Sequence, residues 1–132
     1  MLSFYIAASY PRKEEARALA ALLVQLHFRN KARWLVMESI GYAQGIDKVS
    51  YELAEIDFAD VIASDLFIQI TGDNLSRGGR HTELGMALAL GKPILILGPK
   101  EQVFHHHPNV RLFTDSEALV IGVTNYRSSV CR

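Results

Sequence analysis

The sequence lacks several features that would assign it to a common functional class. It has one cysteine in 132 residues, Cys131, so no disulfide can form within it and we expect a reducing, cytoplasmic compartment. Fourteen basic residues balance fourteen acidic ones without a long run of either sign, which argues against a nucleic-acid polymer as partner. The apolar start meets charged residues at Arg12 to Glu15 too soon for a signal peptide or a membrane span, so we expect no membrane association.

Two kinds of cofactor motif are also missing. Neither the Walker phosphate-binding pattern nor the spaced-glycine dinucleotide pattern is present, which argues against an ATPase or a nicotinamide enzyme. His105, His106 and His107 are adjacent, so their side chains point in different directions, and no cysteine or carboxylate stands at ligand spacing. We therefore predict neither a cofactor nor a metal ion.

The sequence does contain an alternation of apolar runs of strand length with segments of helical periodicity. Its composition is typical of a globular protein, and we predict a single domain spanning residues 1–132. The predicted strands are Leu2 to Ala8, Ala32 to Val36, Leu66 to Thr71, Pro93 to Leu97 and Val110 to Phe113. The predicted helices are Lys13 to His27, Asp47 to Ala63, Arg80 to Leu90 and a short one over Asp115 to Val120, capped by Thr114 or Asp115.

This alternation predicts an α/β fold, a flavodoxin-like three-layer sandwich with a five-stranded parallel sheet. Ligands of such sheets bind at the carboxyl ends of the strands. The loops expected there are Ser9 to Arg12, the Gly78-Gly79 turn and Pro99 to Glu101. The loop Glu38 to Gly45 has the length and glycines of a cover over that site.

The stretch from Ser76 to Gly85 carries the strongest functional signal. Its glycine pair opens a predicted helix, and we expect Glu83 in the first turn, where the positive helix end favours a charged carboxylate. Backbone N–H groups of Gly78 and Gly79 are suited to an anion, with Arg12 and Arg77 adding charge, so a phosphate or sugar hydroxyls are the expected guests. A structural alternative is that Glu83 only complements the helix dipole.

Gly79-x-x-x-Glu83-Leu84-Gly85, followed by a small-residue helix ending in Gly91-Lys92-Pro93, resembles the signature of the nucleoside 2-deoxyribosyltransferase superfamily, which includes the deoxynucleoside monophosphate N-glycosidases. The resemblance extends to Tyr5-Ile6-Ala7-Ala8-Ser9 and to Asp57 through Leu66, and covers about three quarters of the chain. It implies a domain of this type over the whole sequence.

The resemblance leaves two registers for the active-site acid. The family has an acidic residue seven positions before a pair made of a small residue and Asp. Anchoring that pair at Ser64-Asp65 selects Asp57, whereas anchoring it at Ala59-Asp60 selects Glu52. We prefer the first register, because it leaves the strand from Leu66 uninterrupted.

The resemblance implies catalytic roles for three residues. Glu83 attacks the anomeric carbon, Tyr5 holds the Glu83 carboxylate in line, and Asp57 hydrogen-bonds or protonates the departing base. Structural alternatives remain: Tyr5 as an amphipathic core residue, and Asp57 with Asp60 as solvent-facing residues of the second helix.

The resemblance also marks candidate substrate-binding residues. Ser9 and Arg12 loosely match the phosphate-side loop of the nucleotide glycosidases, although Ser9 also suits an ordinary helix N-cap. Ser76 and Arg77 lie one residue off the family's phosphate-side serine. Trp34 is a candidate for stacking on a base, and the alternative is a core tryptophan at the end of a strand.

The expected function is therefore cleavage or transfer at the N-glycosidic bond of nucleosides or nucleoside monophosphates, through a covalent intermediate on Glu83. An alternative is a silent nucleotide-sensing module, suggested by the Arg80-His81 pair and the shifted phosphate loop. A phosphoribohydrolase is a weaker candidate, because its Pro-Gly-Gly-x-Gly-Thr pattern is absent. The resemblance also implies a homo-oligomer.

Overall fold

An all-parallel sheet lies at the centre of the computed structural model, which describes residues 1–37, 46–73 and 78–131. The five strands within these ranges are β1 (Ser3–Ala7), β2 (Arg29–Asn30), β3 (Leu66–Ile70), β4 (Ile94–Leu97) and β5 (Val110–Phe113). The helices are α1 (Lys13–Gln25), α2 (Ile46–Ala63), α3 (Gly79–Ala89) and α4 (Ser116–Val130). The strand order β2-β1-β3-β4-β5 is the flavodoxin-like one, so the predicted fold class is confirmed.

The core lies on both faces of the three central strands. Every residue of β1, β3 and β4 is buried, as expected of parallel strands covered on both sides. Helices α2 and α3 contact each other on one face, whereas α1 and α4 contact each other on the opposite face. Since side chains alternate along a strand, Tyr5 faces α3 while Phe113 packs against Gly122 of α4.

The second strand is shorter and earlier than the predicted Ala32 to Val36. It pairs with β1 only at Arg29 and Asn30, and residues 33–35 form a 3-10 turn. The Asn30 side chain accepts the Ala32 N–H at 2.8 Å, and Asp60 accepts the Arg33 N–H at 3.0 Å. Arg29 and Lys31 donate their N–H groups to β1, so a continued strand would next donate that of Arg33, which Asp60 accepts instead. The prediction here was therefore wrong.

The last helix is longer than the predicted short segment. It starts at its Asp115 cap, whose carboxylate accepts the Ala118 N–H at 2.8 Å, and it continues to Val130. Leu119 and Val123 are buried at helical spacing, and the Phe113 ring fills the space beside Gly122. Of the helices described, none is both long and apolar enough to cross a bilayer.

Candidate active site

The helix that carries Glu83 begins at a glycine in a conformation that few other residues adopt. Gly78 is the N-cap of α3, with φ of 100°, and its carbonyl accepts the N–H groups of His81 and Thr82. A Cβ on Gly78 or Gly79 would meet no heavy atom within 4 Å in the part of the chain that is described. The predicted anion-binding role of the two glycines is not tested by this geometry.

Glu83 lies farther along α3 than the sequence predicted. It is the fifth residue of the helix, and the first turn holds no acidic residue. Its side chain points toward the sheet, where the Tyr5 hydroxyl donates a hydrogen bond to Glu83 Oε2. Tyr5 is 1% exposed and stacks on Phe67 with ring centroids 5.9 Å apart, so the hydroxyl is held by a packed ring on β1.

The electrostatic environment of Glu83 differs from the one predicted. The pKa of Glu83 is raised to about 8, mainly by burial; the Tyr5 hydrogen bond lowers it, and the charge of Asp57 raises it. The dipole of a helix acts mainly within its first turn, which Glu83 is beyond. The expectation that the helix end keeps Glu83 ionised is therefore wrong. Burial and the neighbouring carboxylates also raise the pKa of Tyr5, which remains a hydrogen-bond donor.

Asp57 reaches the same region from α2. Burial and the charge of Asp60 raise the pKa of Asp57 to about 6, while Arg33 opposes the shift. Asp57 Oδ1 is shielded from solvent and has no hydrogen-bond partner among the residues described. Glu52, which the other register would select, is exposed on the same helix. The structure therefore brings Asp57, rather than Glu52, towards Tyr5 and Glu83.

Asp60 does not face solvent, contrary to the structural alternative for α2. It is 5% exposed and accepts the backbone N–H and the Nε–H of Arg33 at 3.0 and 2.9 Å. This pair holds the 3-10 turn against α2 and places a second negative charge beside Asp57. The spacing of Asp57 and Asp60, one helical turn apart, is the signal in the sequence for that proximity.

Ser9 and Arg12 lie together at the carboxyl ends of β1 and β3, with side chains that already have partners. Ser9 occupies the N-cap position of the 3-10 helix Tyr10–Arg12, but its Oγ donates to Asp73 Oδ2 at 3.0 Å and makes no capping bond. The Arg12 guanidinium donates to the Thr71 carbonyl, to Asp73 at 3.4 Å and to Glu15 at 2.8 Å. Their contact with a substrate remains a prediction.

Trp34 lies in the 3-10 turn rather than at the end of a strand. Its Nε1–H donates to the carbonyl of Ile6 at 2.8 Å, and its half-buried ring packs against the core. Base stacking by Trp34 stays a prediction. Ser76, Arg77 and the expected cover from 38 to 45 lie outside the described residues.

Two cavities lie away from Glu83. One of about 280 Å³ is lined by Arg12, Thr71 and the start of α4, and the other of about 310 Å³ lies beside Arg111 and Tyr126. Glu83 itself is partly exposed, so packing does not seal it. Within the described ranges, no group of three or more His, Cys, Asp or Glu side chains is arranged to hold a metal ion. Of the consecutive histidines, His105 is buried and His106 and His107 are exposed.

The sequence analysis missed a set of buried polar residues beside this site. Arg80, 4% exposed, pairs with Glu101, and His105 contacts Gln69 of β3. The partners are 21 and 36 residues apart in the chain, so no local pattern joins them. The signal that was present is that the loop containing Glu101 and the Gly78-Gly79 turn, directly before Arg80, were predicted to meet at the same edge of the sheet.

The fold and these side chains define an α/β protein of flavodoxin-like topology with a half-buried carboxyl–hydroxyl pair on one face of its sheet. Two solved structures have a similar fold. A CMP N-glycosidase from Clostridium botulinum matches with a TM-score of 0.62 and 18% identity, over 92% of this chain and 98% of that one. A 2-deoxyribosyltransferase from Bacillus psychrosaccharolyticus matches with a TM-score of 0.66 and 16% identity, over 89% and 90%.

At 18% and 16% identity, these two likenesses show a shared fold. No model of a protein family matches the sequence, and no curated protein matches it significantly.

Proposed function

We propose that this protein is an enzyme that cleaves or transfers at the N-glycosidic bond of nucleosides or nucleoside monophosphates through a covalent ester on Glu83. The observation that carries the proposal is the pairing of the Tyr5 hydroxyl with the half-buried Glu83 carboxyl, with Asp57 close enough to act on the Glu83 pKa. Asp57 also keeps one shielded oxygen without a partner among the described residues, as a group awaiting a ligand does. The names of the two structural neighbours support the reaction class.

The proposed reaction needs one charged and one protonated carboxyl. The Glu83 carboxylate forms a bond to the anomeric carbon as the bond from that carbon to the base nitrogen breaks. The bonding electrons leave with the base, which takes a proton from Asp57. Water or a second base then attacks the same carbon and releases Glu83, with Asp57 taking a proton back.

The pKa values of the two carboxyls place this division of roles in a minor protonation form around neutral pH, because Glu83 holds its proton more tightly than Asp57 does. With a pKa of about 6 for Asp57 and about 8 for Glu83, the pair holds about one proton near pH 7. The reacting form has that proton on Asp57, and the hydrogen bond from Tyr5 stabilises the negative charge then left on Glu83. No cofactor is needed for these steps.

We assign substrate contacts to the residues that the sequence and the resemblance mark for this role. They are Ser9, Arg12, Trp34, Ser76, Arg77, Gly78 and Gly79. The glycine N–H groups and the two guanidinium groups suit a phosphate or sugar hydroxyls, and Trp34 offers an aromatic face to a base.

Base release measures the activity directly. Deoxynucleosides, ribonucleosides and their monophosphates are incubated with wild type, Glu83→Ala and Glu14→Gln, and free base is followed by chromatography. Glu14 is an exposed carboxylate on α1, so its variant should keep full activity. We expect Glu83→Ala to lose about 10³-fold or more, and intact-mass analysis to detect a glycosyl adduct on wild type only. Equal silence of wild type and Glu83→Ala across the panel contradicts the proposal.

The activity should depend on pH in a bell shape. Since the reacting form needs a charged Glu83 and a protonated Asp57, kcat/KM should fall below a pH of about 6 and above about 8. In Asp57→Asn only Glu83 titrates, so the decline at alkaline pH should disappear while the rate drops. A profile of wild type that is flat from pH 5 to 9 argues against the paired carboxyls as acid and nucleophile.

A silent nucleotide-sensing module is the second candidate. The raised pKa of Glu83 favours it, because a carboxyl that is protonated at neutral pH is a poor nucleophile. Calorimetry separates the candidates: tight nucleotide binding without base release supports sensing, and an absence of binding excludes it.

A further inference from the structure

We propose that Arg80 and Glu101 are positioning residues for Glu83: their ion pair fixes the first turn of α3 and thereby holds the Glu83 carboxyl against the Tyr5 hydroxyl. The inference deepens the proposed function, on which its activity measurements rest. It concerns a group of residues that touches neither Glu83 nor Asp57 in any contact the structure records.

The ion pair has strict geometry. Arg80 Nη1 donates to Glu101 Oε1 at 2.9 Å, and Nη2 donates to Oε2 at 2.7 Å, so the two planar groups are joined by two parallel bonds. The Arg80 side chain is 2% exposed and that of Glu101 is 18% exposed. A cation so shielded from water depends on its carboxylate, because a buried charge without a partner is costly.

The pair joins three segments at the carboxyl edge of the sheet. Glu101 Oε1 also accepts the N–H of Gly72 at 2.8 Å, and Arg80 Nη2 also donates to the carbonyl of Asp73 at 3.1 Å. Gly72 and Asp73 follow β3, Glu101 follows β4, and Arg80 belongs to the first turn of α3. Movement of α3 along the sheet therefore breaks several charged hydrogen bonds at once.

Gln69 and His105 extend the restraint into the sheet. His105 Nδ1 accepts the N–H of Glu101 at 2.9 Å, so Nε2 carries the proton that it donates to Gln69 Oε1 at 2.7 Å. Gln69 Nε2 then donates to the carbonyl of Arg80 at 2.9 Å. Burial lowers the pKa of His105, which keeps this neutral tautomer in place near neutral pH.

The network and the Tyr5–Glu83 pair restrain the same helix from the same face of the sheet. Gln69 pairs with Ala7 in the strand register, and Phe67 pairs with Tyr5, so Gln69 and Tyr5 project to one side. Gln69 holds the carbonyl of Arg80, and Tyr5 holds Glu83 one helical turn later. Since the backbone between them is one rigid turn of α3, a shift at Arg80 moves Glu83 relative to Tyr5.

The N-cap position of α3 lacks a side-chain cap among the residues that the structure describes. The N-cap residue is Gly78, which has no side chain to accept an amide. The hydrogen bonds of Arg80 and Gln69 hold the first turn of α3 in place instead. Arg80 is the second residue of the helix, and all of its recorded hydrogen bonds are made through Nη1 and Nη2.

The pKa of Glu83 tests the inference without any substrate. Carboxyl carbon shifts of Glu83 are titrated by NMR in wild type, Tyr5→Phe, Glu101→Gln and the exposed control Glu14→Gln. Tyr5 and Asp57 are the titratable groups that act on Glu83, and the Tyr5 hydrogen bond lowers its pKa, so Tyr5→Phe should raise it. We expect Glu101→Gln to raise it too, and Glu14→Gln to leave it unchanged. An unchanged Glu83 pKa in folded Glu101→Gln overturns the inference.

Kinetics provide the second measurement. A displaced nucleophile should lower kcat of Glu101→Gln by about 10-fold or more while KM changes by less than about 3-fold, and Glu101→Asp should recover part of the loss. A purely structural role predicts wild-type kcat per folded molecule and only a lower thermal midpoint. If Glu101→Gln does not fold, Arg80→Lys, which keeps the charge but loses the double hydrogen bond, is measured by the same criteria. An inactive wild type would contradict the proposed function, whereas the NMR titration would still test whether Arg80 and Glu101 position Glu83.

Discussion

Asp57 acts on Glu83 at the scale of single residues, from a different helix. Its negative charge is one reason why the Glu83 carboxyl retains its proton to a higher pH than usual. Asp60 acts in the same way on Asp57, and Arg33 opposes it. The pKa of each of these carboxyls therefore depends on the charge of its neighbour, as in other coupled acid pairs.

Asp57→Asn should therefore lower the pKa of Glu83 below its value of about 8, because the neighbouring charge is removed while the size of the side chain is kept. NMR titration of the Glu83 carboxyl carbon measures the shift. Glu52→Gln is the matched control, since Glu52 is an exposed carboxylate of the same helix. A downward shift of equal size in both variants, or none in Asp57→Asn, would show that the two carboxyls do not interact.

Gly78 decides the conformation of one element, the start of α3. Gly78→Ala should lower the free energy of unfolding by about 1–2 kcal/mol, since φ of 100° strains any residue with a Cβ. Gly79→Ala is the matched control: Gly79 is already helical, and alanine there should be neutral or stabilising by up to about 1 kcal/mol. Neither Cβ meets a described neighbour, so urea denaturation of the two variants isolates the backbone effect. Equal losses in both would contradict it.

Gly122 has a different reason to be glycine. A Cβ there would lie well inside contact distance of the Phe113 ring, so Gly122→Ala should destabilise the protein by about 1–3 kcal/mol through overpacking between α4 and β5. Gly85 of α3 is also helical but has open space beside it among the described residues, and Gly85→Ala should stabilise by about 0.5–1 kcal/mol. Thermal and urea unfolding measure both changes, and the same sign in both variants would be the unexpected result.

The elements whose bounds the sequence predicted well are those marked by a single strong pattern of hydrophobic residues. The three central strands are continuous apolar runs, buried on both faces, and their predicted bounds differ from the observed ones by at most one residue. The second strand was misplaced because Asp60, which is distant in sequence, accepts the Arg33 N–H that a continued strand would donate to β1. The last helix was predicted too short, because its Gly122 is explained only by the Phe113 ring of another element.

The candidate site was predictable to the extent that its residues are close in a motif or at neighbouring strand ends. Tyr5, Asp57 and Glu83 are brought towards one another as the resemblance implies. The protonation of Glu83 was not predictable, because it results from burial by residues throughout the fold. The network of Gln69, Arg80, Glu101 and His105 was missed for the related reason that its pairings join elements that are distant in sequence.

At the scale of the whole molecule, the two raised carboxyl pKa values link stability to pH. Asp57 and Glu83 bind protons more tightly in the folded chain than at their reference pKa values of 3.8 and 4.5. Their contribution to stability is therefore complete below about pH 4. It is lost as pH rises through about 6 for Asp57 and about 8 for Glu83.

Glu83→Gln should separate this contribution from the rest. The variant cannot ionise, so its free energy of unfolding relative to wild type should increase between about pH 4.5 and 8, by on the order of 2 kcal/mol after allowing for partial solvent exposure. Urea denaturation of both proteins at pH 4.5, 6 and 8 measures the difference in their free energies of unfolding. Taking this difference cancels the contribution of Glu101 and of the other titrating groups that both proteins share. A difference that is constant over this range would mean that Glu83 titrates normally.

The brevity of the outermost strands also has a consequence for the molecule as a whole. With only Arg29 and Asn30 in β2, and four residues in β5, the sheet offers a passing chain few free amides with which to build another strand. Growth of the sheet into fibrils is thereby discouraged at both margins. Association with further copies, which the resemblance implies, would then proceed through helix surfaces, without strand pairing between the sheets of different protomers.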